Sequence, residues 1–287
     1  MKTDFYQQIT DSIISIIEAG RTGDGISWAQ DAANGMPINH KTKAAYRGIN
    51  TLILWSATRA NGYSSNAWLT YKQAAEMGGQ IRKGEKGELC IFFKMLEIVD
   101  TNDDEQKEIP MASPFWLFNL DQIDGMEKPE VQTIRAEWEQ VEEAERILKS
   151  SGAKINEHGQ KAFYRPSTDE ITMPERSRFS SAKDFYSVVL HELTHWTGAK
   201  HRLNRDFSCR FGSEAYAFEE LIAELGSAFL NAEIGFIASQ IPDHAGYIDS
   251  WLKVLKNDKR AIFTAASQAS KAHALIMNLA KAEQQAA

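Results

Sequence analysis

The sequence predicts an α+β fold in two parts. A small mixed α/β module covers residues 1–125, and a mostly helical module with a short antiparallel sheet covers 126–287. Three observations predict it. Strand-like apolar runs at 89–94 and 115–120 sit among short helical stretches in the first half. After residue 134 helical periodicity dominates, with serines at 181 and 213 as starts and glycines at 198 and 235 as stops. Between the halves, Asp121 to Gln132 contains Gly125 and Pro129 and reads as a linker.

The elements follow in order. Residues 3–19 read as an amphipathic helix with Phe5, Ile9, Ile13, Ile16 and Ile17 on one side and Gly20 as its stop. A loop rich in Gly, Asp and Asn runs to Pro37 and carries Trp28, a core anchor or a stacking surface. Asn50 is placed to cap a helix that ends at Gly62. Gly78 to Gly87 forms a basic turn feeding the strand Leu89–Lys94, and Trp55, Phe92 and Phe93 are expected in the core. The acidic stretch Asp100 to Ile109 reads as an exposed loop between strands, and Phe115–Leu120 as the returning strand. Ile134 to Lys149 forms a polar helix. Residues 161–166 and 169–174 flank Ser167-Thr168 as a two-strand pattern.

Composition bounds the function. Hydrophobic residues make up 43 % of the 287, enough for a substantial core. Cys90 and Cys209 have neither pairing nor metal spacing, the N-terminus lacks a signal-peptide pattern, and no apolar run is long enough to span a bilayer. A reduced, cytoplasmic setting with no membrane partner is the expectation. The net charge of −7 argues against nucleic acid, but its distribution does not. Residues 36–96 hold nine basic against three acidic side chains, while the flanking segments carry −3 and −10. Basic groups there interleave with aromatics: Lys41, Lys43, Tyr46 and Arg47, then Trp68, Tyr71 and Lys72, then Arg82, Lys83 and Lys86. That mixture suits single-stranded nucleic acid, whose backbone follows cations while its bases stack on rings.

The strongest motif is His191-Glu192-Leu193-Thr194-His195. Ser181 and Asp184 give a capped helix start, and residues four apart on a helix share a face, so His191 and His195 aim two imidazoles at one point. A catalytic zinc takes three protein ligands and leaves one position open. Glu192, adjacent to the first ligand, occupies the general-base position of a metallohydrolase. The third ligand comes from His201, Asp206, Glu219, Glu220 or Glu224. His195-x-x-Gly198-x-x-His201 satisfies one known zinc spacing, but no downstream Met-turn is evident. The helix opened by Ser213 places Glu220 and Glu224 one turn apart, a ligand plus an outer carboxylate able to hold a ligand histidine. Glu220 is therefore favoured as the third ligand, with Glu219 turned towards the helix flank, free for Arg202 or Arg205. Tyr247 or His244 is the candidate for stabilising an oxyanion.

Several motifs in one order resemble the ArdC-type antirestriction proteins. In the C-terminal part they are Asp169-x-Ile171, His191-Glu-Leu-x-His195-Trp-Thr-Gly198, Arg202-Leu-Asn-Arg205, Tyr216-x-x-Glu219-Glu220 and Tyr247-Ile-x-Ser-Trp251. In the N-terminal part they are Tyr46-Arg47-Gly48-Ile49-Asn50, Trp68-Leu-Thr-Tyr-Lys-Gln73, Gly78 to Gly87 and Phe118-Asn119. The resemblance implies an N-terminal domain that binds single-stranded DNA, a zincin-like metallopeptidase domain, and a plasmid-borne role in protecting incoming DNA from restriction during conjugation. It implies a zinc ion, with manganese or another divalent transition metal as alternative. A host restriction or DNA-bound protein would be the substrate. Two readings stay open: a DNA-targeted peptidase, and a DNA-coating protein whose metal site is silent.

Overall fold

The computed structural model describes residues 4–20, 28–99, 106–127, 137–207, 213–236 and 245–286. The chain divides into two packed units, Pro37–Gln132 and a second made of Met1–Met36 with Thr133–Ala287. This differs from the sequence boundary at 125/126. The first helix, α1 (Phe5–Gly20), buries Ile9, Ile13 and Ile17 within the unit that holds the C-terminal half. Its Thr10 hydroxyl donates to the Lys259 carbonyl at 2.7 Å. A short helix, α2 (Trp28–Asp31), follows, and Trp28 is a buried core anchor.

The Pro37–Gln132 unit contains β1 (Ile38–Asn39), α3 (Ile49–Asn61), β2 (Ala67–Leu69), α4 (Tyr71–Glu76), β3 (Gln80–Ile81), β4 (Glu88–Val99), β5 (Gln106–Asn119) and β6 (Ile123–Asp124). Four strands form one sheet in the order β1-β2-β5-β4, with β1 parallel to β2 and the rest antiparallel, while β3 pairs with β6. Asn50 does not cap α3; Gly48, at φ +60°, occupies that position. Instead the Asn50 side chain donates to the Ile91 carbonyl and accepts from its N–H, both at 2.9 Å. It thereby closes the open edge of β4 much as a neighbouring strand would. β4 and β5 extend further than expected and form a long ribbon that takes in 106–109, while 100–105 lie outside the described residues. The expected linker is ordered as far as β6, which pairs within this unit.

The second unit is mostly helical: α5 (Glu137–Ser151), α6 (Ala182–Trp196), α7 (Glu214–Ile234), α8 (Ala245–Asn257) and α9 (Ala261–Ala286). Its sheet contains β7 (Lys154–Glu157), β8 (Phe163–Arg165) and β9 (Glu170–Met173) in the order β7-β9-β8. The two-strand antiparallel pattern is present as β8 and β9, and β7 adds a parallel third strand. That strand carries no alternation to betray it, because its ends, Lys154 and Glu157, are exposed and Ile155 and Asn156 between them are both half-buried. β7 and β8 are the two edges of the sheet. Among the described residues no helix is long and apolar enough to cross a membrane.

Helices α6 and α7 pack closely, and the sequence allows it at one residue. Gly226 of α7 faces Thr194 of α6, and a Cβ there would overlap the threonine side chain. Ser227 adds a hydrogen bond to the Ser187 carbonyl at 3.1 Å. Gly226→Ala should therefore force the helices apart and cost about 1–3 kcal/mol. Thermal unfolding of the variant should show a midpoint several degrees lower; an unchanged midpoint would mean that the helices are not in contact there.

Candidate functional site

Both histidines sit on α6, whose start Ser181 accepts from the Asp184 N–H as expected, and both are buried. Their Nε2 atoms lie 3.2 Å apart. From α7, Glu220 brings one oxygen 3.4 Å from His191 Nε2 and the other 3.6 Å from His195 Nε2. A tetrahedral site with bonds of ~2.0–2.1 Å has ligand–ligand edges of roughly 3.3 Å. The three donors are thus spaced as a small divalent ion requires, and His191, His195 and Glu220 can hold one.

The carboxylates behind this trio orient it. Glu219 accepts from His195 Nδ1 at 3.0 Å, and Glu224 stands 3.8 Å from His191 Nδ1. Each imidazole is thereby backed by an acid on the nitrogen that faces away from the centre, the arrangement that fixes ring orientation in metal sites. Glu224 stands on the Nδ1 side of His191. Glu219 is more than a flank residue: it is buried against His195 and held by Arg205, whose guanidinium donates to it at 2.9–3.2 Å. Arg205 also bonds Thr197 Oγ1 and the Thr194 carbonyl. Gly198 makes room for this, since a Cβ there would overlap the Arg205 guanidinium and the Phe207 ring. Adjacent glutamates on one helix point about 100° apart, so one reaches the centre and the other the outside of a ligand.

Charge follows geometry. Burial opposes protonation of both imidazoles, but the carboxylates facing them, Glu220 and Glu224 at His191 and Glu219 and Glu220 at His195, outweigh it and raise both above the usual histidine range. Burial likewise opposes ionisation of Glu220, yet the two histidines hold its carboxyl below the ordinary range. Glu192 differs. Burial dominates and raises it, with the His191 and His195 imidazoles as a partial counterweight.

The trio and Glu192 line one side of a cleft of about 720 Å³. Phe163 and Tyr164 of the edge strand β8 line it too, with Phe179, Val188, Tyr216 and Tyr247. Tyr247 is present as expected, and its hydroxyl lies 3.4 Å from that of Tyr216. Tyr216, named in the sequence only as part of a family motif, lines the cleft as well. Burial first, then Tyr247 and Glu220, raise its hydroxyl well above the ordinary tyrosine range. Its position four residues before Glu220 on α7 was the available signal. His244 lies outside the described residues. His201 is exposed and faces Asp169 at 3.5 Å rather than the trio. Arg202 pairs with the same aspartate and lies over the Trp196 ring at 3.6 Å.

In the Pro37–Gln132 unit the predicted DNA-facing residues divide. Trp68 is fully buried against Leu54, Cys90 and Leu117 and offers no ring face, so its assignment to a stacking surface is corrected. Tyr46 is half-buried, accepts from Asn39 Nδ2 at 3.0 Å, and burial raises its hydroxyl to about 12. Lys41, Lys43, Arg47, Tyr71, Lys72, Arg82, Lys83 and Lys86 are exposed. Three of these cations are engaged: Lys41 with Glu76 at 2.6 Å, Lys72 with Glu76 at 3.8 Å, and Arg82 with Glu85 at 2.8 Å. Of the three aromatics expected in the core, Trp55 is buried, whereas Phe92 and Phe93 are exposed.

Residues 3–118 match the family described as the N-terminal domain of anti-restriction factor ArdC, and residues 142–268 match the zincin-like metallopeptidase family. The chain is 45 % identical over 276 residues to "Uncharacterized protein y4eC" of Sinorhizobium fredii, covering 93 % of this chain and 89 % of that one. It is 40 % identical over 295 residues to DNA primase TraC of Escherichia coli, covering 96 % of this chain but 20 % of TraC, about a fifth of that relative's length. The crystal structure of metal-free antirestriction protein ArdC from the R388 plasmid matches with a TM-score of 0.82 and 41 % identity, over 98 % of this chain and 99 % of that one. Its Mn(II)-bound structure matches at 0.81 and 40 %, over 97 % and 98 %.

Metal uptake tests the site. Wild-type protein should take up about one divalent ion per chain, with His191→Ala and Glu220→Gln losing it. Glu219→Gln should retain it with affinity lowered about 10–100-fold. Ligands bind metal only when deprotonated, and both imidazoles are raised, so uptake should release protons and tighten as pH increases. Calorimetry in buffers of different ionisation enthalpy reads both. Loss of metal in Glu219→Gln with retention in Glu220→Gln would exchange the roles of the two acids.

Proposed function

The chain belongs to the ArdC antirestriction family, and from that premise we propose that it protects incoming plasmid DNA during conjugation in two ways. Its Pro37–Gln132 unit binds single-stranded DNA, and the cleft of the other unit is a metal-dependent peptidase-type site acting on a restriction or DNA-bound protein. On this reading the working compartment is the cytoplasm. Zinc is the resident ion we favour, given two imidazoles and a carboxylate, with manganese the alternative.

Glu192 carries the catalytic reading. It is not among the three donors, yet it stands buried in the same cleft with its carboxyl raised by burial. A purely structural ion would need neither that acid nor an open cleft. A divalent ion held by the trio supplies Lewis acidity, polarising a carbonyl and making water acidic near neutral pH. Glu192 takes the proton from the attacking water and returns it to the leaving amine. The β8 edge binds the substrate backbone as an added strand, and the Tyr216–Tyr247 pair, which lines the same cleft, faces the carbonyl oxygen.

Glu192→Gln separates chemistry from binding. It should keep its metal and its DNA affinity while peptide cleavage falls about 10²–10⁴-fold. Unimpaired cleavage would remove Glu192 from the mechanism. Full DNA protection by this variant would assign protection to the DNA-binding unit alone, with the cleft silent. Affinity of the wild type for single-stranded oligonucleotides should fall linearly with log salt at a slope of about −0.7 per phosphate contact. Tighter binding to duplex of equal length would contradict the single-strand preference.

A further inference from the structure

The large hydrophobic side chains that stand exposed among the described residues are Tyr71, Met77, Phe92, Phe93 and Trp116, and all five belong to the Pro37–Gln132 unit. Trp116 is 52 % and Phe93 45 % exposed. The β4–β5 register pairs Trp116 with Leu89 and Phe93 with Ala112, with Ile91 opposite Pro114 between them. Side chains alternate along a strand, so Trp116, Ile91 and Phe93 share one face, with Ile91 buried and the two exposed rings on either side of it, four residues apart, roughly 13 Å along the ribbon. The opposite face, with Cys90 and Leu117, packs in the cluster that includes Leu54 and Ala57 of α3. Phe92 lies on that second face, beyond the packed part.

Charge is polarised along the same ribbon. The turn that leads into β4 carries Lys83 and Lys86, both exposed, and it is tied down by Gln122 Nε2 donating to the Lys86 carbonyl at 2.9 Å. The turn ends at Gly87, where an added Cβ would meet the Phe118 ring at 3.0 Å and the Cβ of Trp116 at 3.1 Å, so the basic turn passes close beside the strand position that carries the exposed indole. The segment joining β4 to β5 carries Asp100, Asp103, Asp104 and Glu105 and no cation. A polyanion is therefore drawn to the Trp116 end.

We propose that the Trp116–Phe93 face of the ribbon is the base-stacking platform for single-stranded nucleic acid, approached from the Lys83–Lys86 turn. This rests on the DNA-binding reading above and replaces the buried Trp68 with rings that present a face. Flat rings beside unpaired cations are what sequence-tolerant single-strand binding requires, since every base has a stacking face and every nucleotide a phosphate. Duplex DNA, with its bases already stacked, gains nothing from them.

The full-length chain and its Trp116→Ala, Phe93→Ala, Phe92→Ala and Trp116→Phe variants can be titrated with labelled oligo-dT and with a duplex of equal length. Thermal unfolding of each checks that the fold is kept. Trp116→Ala and Phe93→Ala should each weaken oligo-dT binding by about tenfold or more, Trp116→Phe should restore most of it, and Phe92→Ala should stay within about twofold. Trp28, Trp55, Trp68, Trp196 and Trp251 are buried. In a Trp138→Phe background, quenching of tryptophan fluorescence by oligo-dT should therefore disappear on Trp116→Phe while binding persists. Wild-type affinity in Trp116→Ala and Phe93→Ala, or an equal loss in Phe92→Ala, would overturn the platform while leaving DNA binding intact. Failure of the wild-type chain to bind oligo-dT would overturn both. Sedimentation showing that Trp116→Ala abolishes self-association, with DNA affinity unchanged, would assign the face to a second copy of the chain and overturn the proposal.

Discussion

The approach of α7 to α6 is the constraint on which the site depends. It puts two histidines and two glutamates, all buried, into one small volume. Buried charges are costly unless paired, and here each finds an opposite partner: Glu219 with His195 and Arg205, Glu220 with both imidazoles. Breaking such a set by removing one member leaves another charge stranded, typically at several kcal/mol. Two small residues make the approach possible. Gly226 admits Thr194 between the helices, and Gly198 admits Arg205 behind Glu219.

That packing also gives the two faces of each imidazole different tasks. The Nε2 atoms converge with Glu220, while the Nδ1 atoms are aimed at Glu219 and Glu224. Arg205 adds a third layer by bonding Glu219, Thr197 and the Thr194 carbonyl at once, tying the end of α6 to the start of α7. Ring orientation is thus set from outside the centre, which leaves Glu192 and the tyrosine pair free to face the cleft. Phe163 and Tyr164 of β8 complete the wall.

The Pro37–Gln132 unit solves a different problem. A long two-stranded ribbon with an open edge invites pairing with other chains. Asn50 occupies that edge at Ile91 by offering both a donor and an acceptor. One face of the ribbon then packs on α3, and the other keeps its rings in contact with solvent. The burial of Trp68 and the exposure of Trp116 are two outcomes of the same sheet: Trp68 lies on β2 and packs in the core, Trp116 on a ribbon face that leaves its ring and that of Phe93 in contact with solvent.

The sequence by itself determined what depends on spacing along one helix or on local backbone preference. Ser181, Ser213 and Gly235 mark the helix ends because capping is local, and His191 with His195 share a face because the helical period is fixed. Glu220 with Glu224 behind it followed from the same period. What joined separate elements was decided by tertiary structure. Glu219 belongs to His195 because two helices cross at one angle, and Arg205 belongs to Glu219 because a turn folds back over that crossing. Asn50 has the residue type of a cap but serves a strand 41 residues away. Trp68 and Trp116 look alike in the chain, since each sits in an apolar run with the β pattern. Which ring is covered depends on strand order and on what lies over each sheet face, and neither is encoded in the residues beside it.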